Sequence, residues 1–221
     1  MSKFVPSYTG TLRSHSVTLP SCISECSGIR IFGRRIKSLA FSTDVAIIKN
    51  INADAIIAVY PFTPQPVIAD AIIEVSDVPV FVGVGGGLTT GQRAVRLAEQ
   101  AEHQGAYGVV LNAPTPNEVI REIKQGVDIP VIISVVSEDT DIQARLEAGA
   151  DILNVSGAAR TAKIVAKIRE KFPELPIIAT GGPTEETILE TIRAGANAIT
   201  YTPPSNGELF EGVMERYRAN H

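Results

Sequence analysis

Three carboxylates stand where a proton could be moved. Asp44 ends the run FSTD, and Glu138 and Asp139 end the run VSED. An acid and a base facing one mouth is the equipment of isomerisation, epimerisation or aldol cleavage. The same residues read equally as helix caps or first-turn charges, because Ser, Thr and Asp ahead of an amphipathic run accept the first free backbone N–H groups. Asn112 can orient a carbonyl or hydroxyl, and Tyr60 can donate a hydrogen bond or stack on a ring. Imine chemistry is poorly supplied. Lys37 is the only Lys inside a predicted strand, and it lies near the start, about 13–17 Å from the mouth by strand rise. The three histidines, His15, His103 and His221, fall in the opening segment, at a helix end and at the last position. Cys22 and Cys26 could share one face of a turn, but with only His15 near them a four-ligand zinc site is unsupported and reduced thiols are expected.

Two glycine clusters could approach an anion. Gly85 and Gly86 lie in GVGGGLTTG (83–91), which lacks the Lys-Ser/Thr ending of a P-loop. Its alternatives are a lid, an amide-rich wall, or a sharp turn with Thr89 or Thr90 capping the next helix. Gly181 and Gly182 close PIIATGG (176–182). The alternatives there are an anion cradle or the tight turn that any strand-to-helix corner needs.

These residues are positioned by an internal repeat. NADAIIAVYP (52–61), GAYGVVLNAP (105–114), GADILNVSG (149–157) and GANAITYTPP (195–204) each run from a small-residue turn into a short β-rich stretch. Between them PVFVGVGGG (79–87), PVIISVVS (130–137) and PIIATGG begin with Pro and are apolar on both alternating faces, as strands of a buried parallel sheet are. Strands are predicted over 36–42, 54–60, 79–84, 108–112, 130–136, 151–156, 176–181 and 198–202. Helical patterns span 89–104, 137–148 (capped by Ser137), 158–172, 183–194 and 207–219. Eight such units predict an α/β fold, a single (β/α)8 TIM barrel over 36–221, with 1–35 as an N-terminal extension packed under the barrel or onto a neighbouring subunit. The candidates named above then fall at strand C-terminal ends, where barrel active sites lie.

The 221 residues carry 20 Lys and Arg against 24 Asp and Glu, and none of the basic residues lies between Asn50 and Gln92. That balance gives no electrostatic footprint for nucleic acid or an anionic membrane. No apolar run approaches the roughly 20 residues of a membrane span, and the opening segment lacks an apolar signal core, so a cytoplasmic location is expected. The proline-stiffened YPFTPQP after Tyr60 is apolar enough to cover a ligand or enter an interface, which favours a homo-oligomer.

The segment PIIATGGPTEETILETIRAGANAITYT (176–202) resembles the strand 7–helix 7–strand 8 region of the phosphate-binding barrels, such as N-acetylmannosamine-6-phosphate 2-epimerase, thiamin-phosphate synthase and indole-glycerol-phosphate synthase. The resemblance implies that Gly181 and Gly182 form half of a phosphate cradle. The other half would fall on Tyr201, Thr202 and Ser205, although Pro203 and Pro204 stand where those families have Gly and Ser or Thr. Asp44 and Asp139 resemble the opposed aspartates of the histidine-biosynthesis barrels. The expected function is an enzyme acting on a small phosphorylated metabolite by aldolase, isomerase or epimerase chemistry. The alternatives are an FMN-binding oxidoreductase, with the same glycines on the FMN phosphate and Gly85–Gly87 or Ser134 near the ring, and a non-catalytic small-molecule-binding or regulatory barrel.

Overall fold

The computed structural model describes residues 4, 6–8, 10 and 17–219. Most of the opening segment, His15 included, lies outside these residues, as does His221. Leu19 opens the well-packed part, and a 3-10 turn follows over Ser21–Glu25. A hairpin comes next, β1 (Ile29–Ile31) and β2 (Arg34–Ile36), paired antiparallel. Its turn, Phe32-Gly33, has φ of 43° and 81°, the left-handed pair that matches hairpin twist.

Eight parallel strands then close into a ring: β3 (Ser38–Phe41), β4 (Ala55–Ala58), β5 (Val80–Gly85), β6 (Gly108–Leu111), β7 (Val131–Val135), β8 (Ile152–Val155), β9 (Ile177–Thr180) and β10 (Ala198–Tyr201). The order is sequential, and β10 pairs back onto β3 through Ile199↔Ser38 and Tyr201↔Ala40. The expected closed barrel is thus present, each strand within two residues of its predicted bounds. Ile36 is the exception in role, because it belongs to the hairpin rather than to the first barrel strand.

Helices alternate with the strands: α1 (Val45–Lys49), α2 (Pro66–Val75), α3 (Gln92–His103), α4 (Asn117–Gly126), α5 (Ile142–Glu147), α6 (Thr161–Lys171), α7 (Glu185–Arg193) and α8 (Asn206–Ala219). Their starts follow local chemistry. Asp44 caps α1 by accepting from the Ala46 and Ile47 amides, and Thr184 and Thr187 form a reciprocal capping box on α7. Two expected caps are corrected. Asp141, not Ser137, caps α5, and Gly91 (φ 59°) precedes α3 without a side-chain cap. In each case the chain spends extra residues turning off its strand before the helix begins.

Strand alternation sorts the core into two shells. Leu39, Ile57, Phe81, Val110, Ile132, Ile152, Ile178 and Ala198 fill the barrel interior. Their neighbours, among them Ala40, Ile56, Val82, Leu111, Ile133 and Leu153, pack outward on helix residues such as Ala98, Ile120 and Ile164. The hairpin closes the floor by seating Ile29, Ile31 and Ile36 under the inner shell. Tyr107 donates to the Ile31 carbonyl at 3.1 Å and meets Phe32 and Phe81 edge-to-face.

The wall has one irregularity. Ala40 and Ile199 face outward from β3 and β10 and are fully buried, yet α8 buries no residue. The N-terminal segment covers them instead. Leu19, Cys22, Ile23 and Cys26 join the outer shell, the 3-10 turn packs on α7, and Val17 bridges to Ile51 after α1. The expectation that the extension packs under the barrel holds for the hairpin, whereas residues 19–26 take the wall position an eighth helix would fill.

Candidate functional site

Two residues beyond the inner shell, alternation places a second inward-facing layer at the strand C-terminal ends. On β3 to β5 this layer is Phe41, Val59 and Gly83, and from β6 round to β10 it is Asn112, Ser134, Asn154, Thr180 and Thr200. One half of the mouth is therefore apolar and the other neutral and polar. Two atoms of the polar half, Asn154 Oδ1 and Thr200 Oγ1, are buried without a hydrogen-bond partner. Such atoms cost about 1–3 kcal/mol each when left unsatisfied, so each calls for a partner, an ordered water or a bound ligand. Thr180 Oγ1 donates to Ser156 Oγ at 3.3 Å on the same rim.

A cavity of about 180 Å³ opens beside this layer, between the loops after β4 and β5. Val59, Tyr60, Phe62, Gly85, Leu88 and Asn112 line it. A larger groove, about 340 Å³, lies between α5 and α6 and is lined by Ile142, Ile164, Lys167 and Lys171. It runs along the outer wall beside the six-residue α5 and reaches the loop after β7, where Ser137, Glu138 and Thr140 line it as well. Among the described residues, no group of three His, Cys, Asp or Glu could hold a metal ion, and no helix is long and apolar enough to cross a membrane.

The sequence-derived candidates all lie at the mouth, but most are engaged. The Tyr60 hydroxyl accepts from the Gln65 amide at 2.7 Å and pins the YPFTPQ loop. Glu138 pairs with Lys163 at 3.1 Å. Asp139 is exposed, and its own amide donates to Ser137 Oγ at 3.2 Å. Asp44 is the exception in detail. Its bonds to Ala46 N, Ile47 N and Asn206 Nδ2 all fall on Oδ1, which leaves Oδ2 for chemistry. Asn112 is exposed at the cavity, and its backbone is fixed by Gly85 and Thr115.

The glycines are dictated first by packing. Gly86 has φ 106°, and a Cβ there would sit 2.6 Å from Asn112 N, while one on Gly85 would sit 2.5 Å from the Thr89 carbonyl. These two glycines are therefore set by the close approach of their own loop, while Gly87 beside them is open and lines the cavity. A Cβ on Gly181 would meet Ile188 at 2.7 Å, and Gly182 turns at φ 82° beside Thr187. The two rim corners implied by the resemblance are adjacent, since the Gly181 amide donates to the Thr200 carbonyl at 3.4 Å. Thr202 is exposed there and Tyr201 half-buried. Ser205, however, caps α8 in a box with Glu208, whose carboxylate accepts from Ser205 N at 2.7 Å and Oγ at 2.8 Å. Those bonds hold the Glu208 carboxyl below its ordinary range. An internal carboxylate thus occupies the Ser205 half of the expected cradle.

Two features were not anticipated. Arg160, exposed in the short 3-10 turn Ala158–Arg160 after β8, is a cation on the rim, and Ala158 before it is held at φ 51°. Left-handed backbone at a non-Gly residue costs about 1 kcal/mol or more and clusters at functional loops. The strand-end rule stopped at Ser156 and missed Arg160 by four positions. The polar half-ring was visible as polar strand ends, but only the parity of each strand shows which of them point inward. Away from the mouth, the two thiols are free and buried on the wall. Burial pushes Cys26 up to about 11, and raises Cys22 with help from the nearby Glu185 charge.

No family model matches the chain. Two inosine-5'-monophosphate dehydrogenases share a segment with it. That of Chlorobaculum parvum is 38% identical over 64 residues, 27% of this chain and 13% of that protein. That of Halalkalibacterium halodurans is 40% identical over 70 residues, 29% and 14%. The chain therefore covers only a small fraction of those relatives' length. Solved structures align over most of the barrel. A putative phosphonomutase from Burkholderia cenocepacia J2315 has a TM-score of 0.60 at 18% identity, covering 82% of this chain and 90% of that one. A 2,3-dimethylmalate lyase of the PEP mutase/isocitrate lyase superfamily has a TM-score of 0.65 at 16% identity, covering 82% and 81%. Phosphonopyruvate hydrolase, complexed with oxalate and Mg²⁺, has a TM-score of 0.63 at 15% identity, covering 84% and 83%. At these identities the likeness is one of fold: the chain is a (β/α)8 barrel.

Proposed function

We propose that this barrel is an enzyme of the aldolase/lyase type, acting at its C-terminal mouth on a small hydroxylated metabolite that carries a phosphate or carboxylate. The observation that carries the reading is the pair of buried, unpartnered acceptors, Asn154 Oδ1 and Thr200 Oγ1, in the inward-facing layer. Each fits a substrate hydroxyl or ammonium donor, and no cation competes for them inside the ring. Asn112 and Ser134 orient the carbonyl end of the substrate from the same half. The apolar half, Phe41, Val59 and Gly83, receives its carbon skeleton. The anion lies on the rim, held by Gly182, Thr202 and the Arg160 charge, because Glu208 already fills the Ser205 corner. Asp44 Oδ2 takes the hydroxyl proton as the adjacent carbon–carbon bond breaks, and the departing carbanion is held as an enolate whose oxygen accepts from the Asn112 amide. The named activities of the structural neighbours, a dimethylmalate lyase and a phosphonopyruvate hydrolase among them, support this reaction class. The setting is a cytosolic one.

A second reading has its own observation. Tyr60 is spent on its own loop and Glu138 on Lys163 of α6, which leaves Asp44 and the exposed Asp139 as the free carboxylates, and a binding protein without turnover would show the same mouth. A screen of hydroxy acids, keto acids and sugar phosphates by thermal shift, followed by assay of carbonyl product, separates the two. An enzyme gives stabilisation and product, with product lost in Asp44→Asn while binding persists, since Asn also caps a helix. Stabilisation without product for every hit supports the binder. If no member of the panel stabilises the protein, the mouth is not a site for this class of ligand.

A further inference from the structure

We infer that α8 is the surface through which two copies of this chain associate, packing antiparallel, helix on helix. α8 is a 14-residue helix that buries nothing in its own barrel, because the N-terminal segment holds the wall position over β10 and β3. The same segment fills that position in every copy, so α8 cannot complete a neighbour's ring either. What α8 presents outward is apolar at helical spacing. Phe210 is 64% exposed, Met214 41% and Tyr217 59%, with Leu209 at 39% beside them. Positions i, i+4 and i+7 form one ridge, and an isolated apolar ridge on a soluble barrel marks a contact surface.

The flanking charges choose the occupant. Glu211 and Arg218 lie seven residues apart on the same edge of the ridge, so they project to one side about 10 Å apart along the axis. A two-fold axis near Met214 places Glu211 of one copy beside Arg218 of the other, twice, by symmetry. A parallel two-fold pairing would instead put the two copies of this edge on opposite sides of the interface and leave Glu211 without Arg218 beside it. The patch is therefore self-complementary, as an isologous interface must be. One helix pair is at the small end of specific interfaces, below about 1,200 Å² in total, so the dimer dissociates on dilution.

Sedimentation equilibrium of the full chain, from low micromolar to several hundred micromolar, reads the association. The expected result is a reversible dimer. Glu211→Arg and Arg218→Glu each raise its dissociation constant by about tenfold through like-charge opposition, and the double reversal brings it back. Phe210→Asp abolishes it. All these side chains are exposed, so circular dichroism and melting temperature stay unchanged and folding failure is not at issue. A monomer across the whole range overturns the proposal. So does a dimer indifferent to every α8 substitution, which would move the contact to another exposed apolar site, such as Phe62 and Val67 at the mouth.

Discussion

The two ends of this barrel are built from the same eight strands and could hardly be more different in chemistry. At the floor, Phe81, Ile132, Ile152 and Ile178 interlock above a hairpin whose Ile29, Ile31 and Ile36 exclude water. At the mouth, two residues further along each strand, the inward positions become Gly83, Ser134, Asn154 and Thr180, and two polar atoms of that layer lack partners. The floor satisfies its side chains completely, and the mouth leaves some unsatisfied. Stability and binding are thus stacked along one axis, two residues apart.

The largest effect that tests this contrast is at the floor. Phe81→Ala removes a fully buried ring and its edge-to-face contact with Tyr107, and should cost about 3–5 kcal/mol in urea unfolding. A cost below about 1 kcal/mol would mean that the floor is not the stabilising end. The mouth should answer with the opposite sign. Thr200→Val keeps the shape and deletes an unpaired buried hydroxyl, so thermal unfolding should show it unchanged or more stable by about 1 kcal/mol, with weaker ligand binding. A loss of stability there would show that the hydroxyl is already satisfied. Thr184→Ala removes one side of the α7 capping box on the rim and should cost about 1 kcal/mol, local to that helix by hydrogen exchange.

How far the sequence went follows the same division. The strands were legible because a strand buried on both faces is a short apolar run opened by Pro or a small-residue turn, as at PVIISVV and PIIATG. The caps at Asp44 and Thr184 were legible because their side chains act on the nearest amides. The hairpin was not, because IRIFGRRI mixes charges with isoleucines and its turn puts Phe32 in a left-handed conformation better suited to Asn or Gly. Nor was the displacement of α8, since nothing local tells an amphipathic helix that its place on the barrel is taken by Cys22, Ile23 and Cys26. At the site, polar strand ends were visible. The engagement of Tyr60 with Gln65 and of Ser205 with Glu208 was not, because each depends on how a loop folds back.

The smallest effects are pH-dependent and again divide wall from mouth. Cys26, its thiol raised from 9.0 to about 11 by burial, binds its proton more tightly folded than unfolded. Its contribution is whole below pH 9 and is lost as the pH rises toward 11, and a Cys26→Ala variant should show a shallower alkaline slope. Glu208 is shifted the other way by the Ser205 hydrogen bonds. The cap it makes is present above the ordinary carboxyl range and lost as acid protonates it, so Glu208→Gln should flatten that small acid slope in circular dichroism of the wild-type fold.

The central claim is that the polar half-ring of the mouth, rather than the larger groove on the outer wall, is where a ligand binds. Calorimetric titration of the strongest thermal-shift hit into the wild-type protein, Asn154→Ala and Lys167→Ala tests it directly. Affinity should fall by at least about tenfold, some 1.4 kcal/mol, in Asn154→Ala and stay unchanged in Lys167→Ala, which lines the groove between α5 and α6. Binding that survives Asn154→Ala and is lost in Lys167→Ala would contradict the account and move the site to the wall.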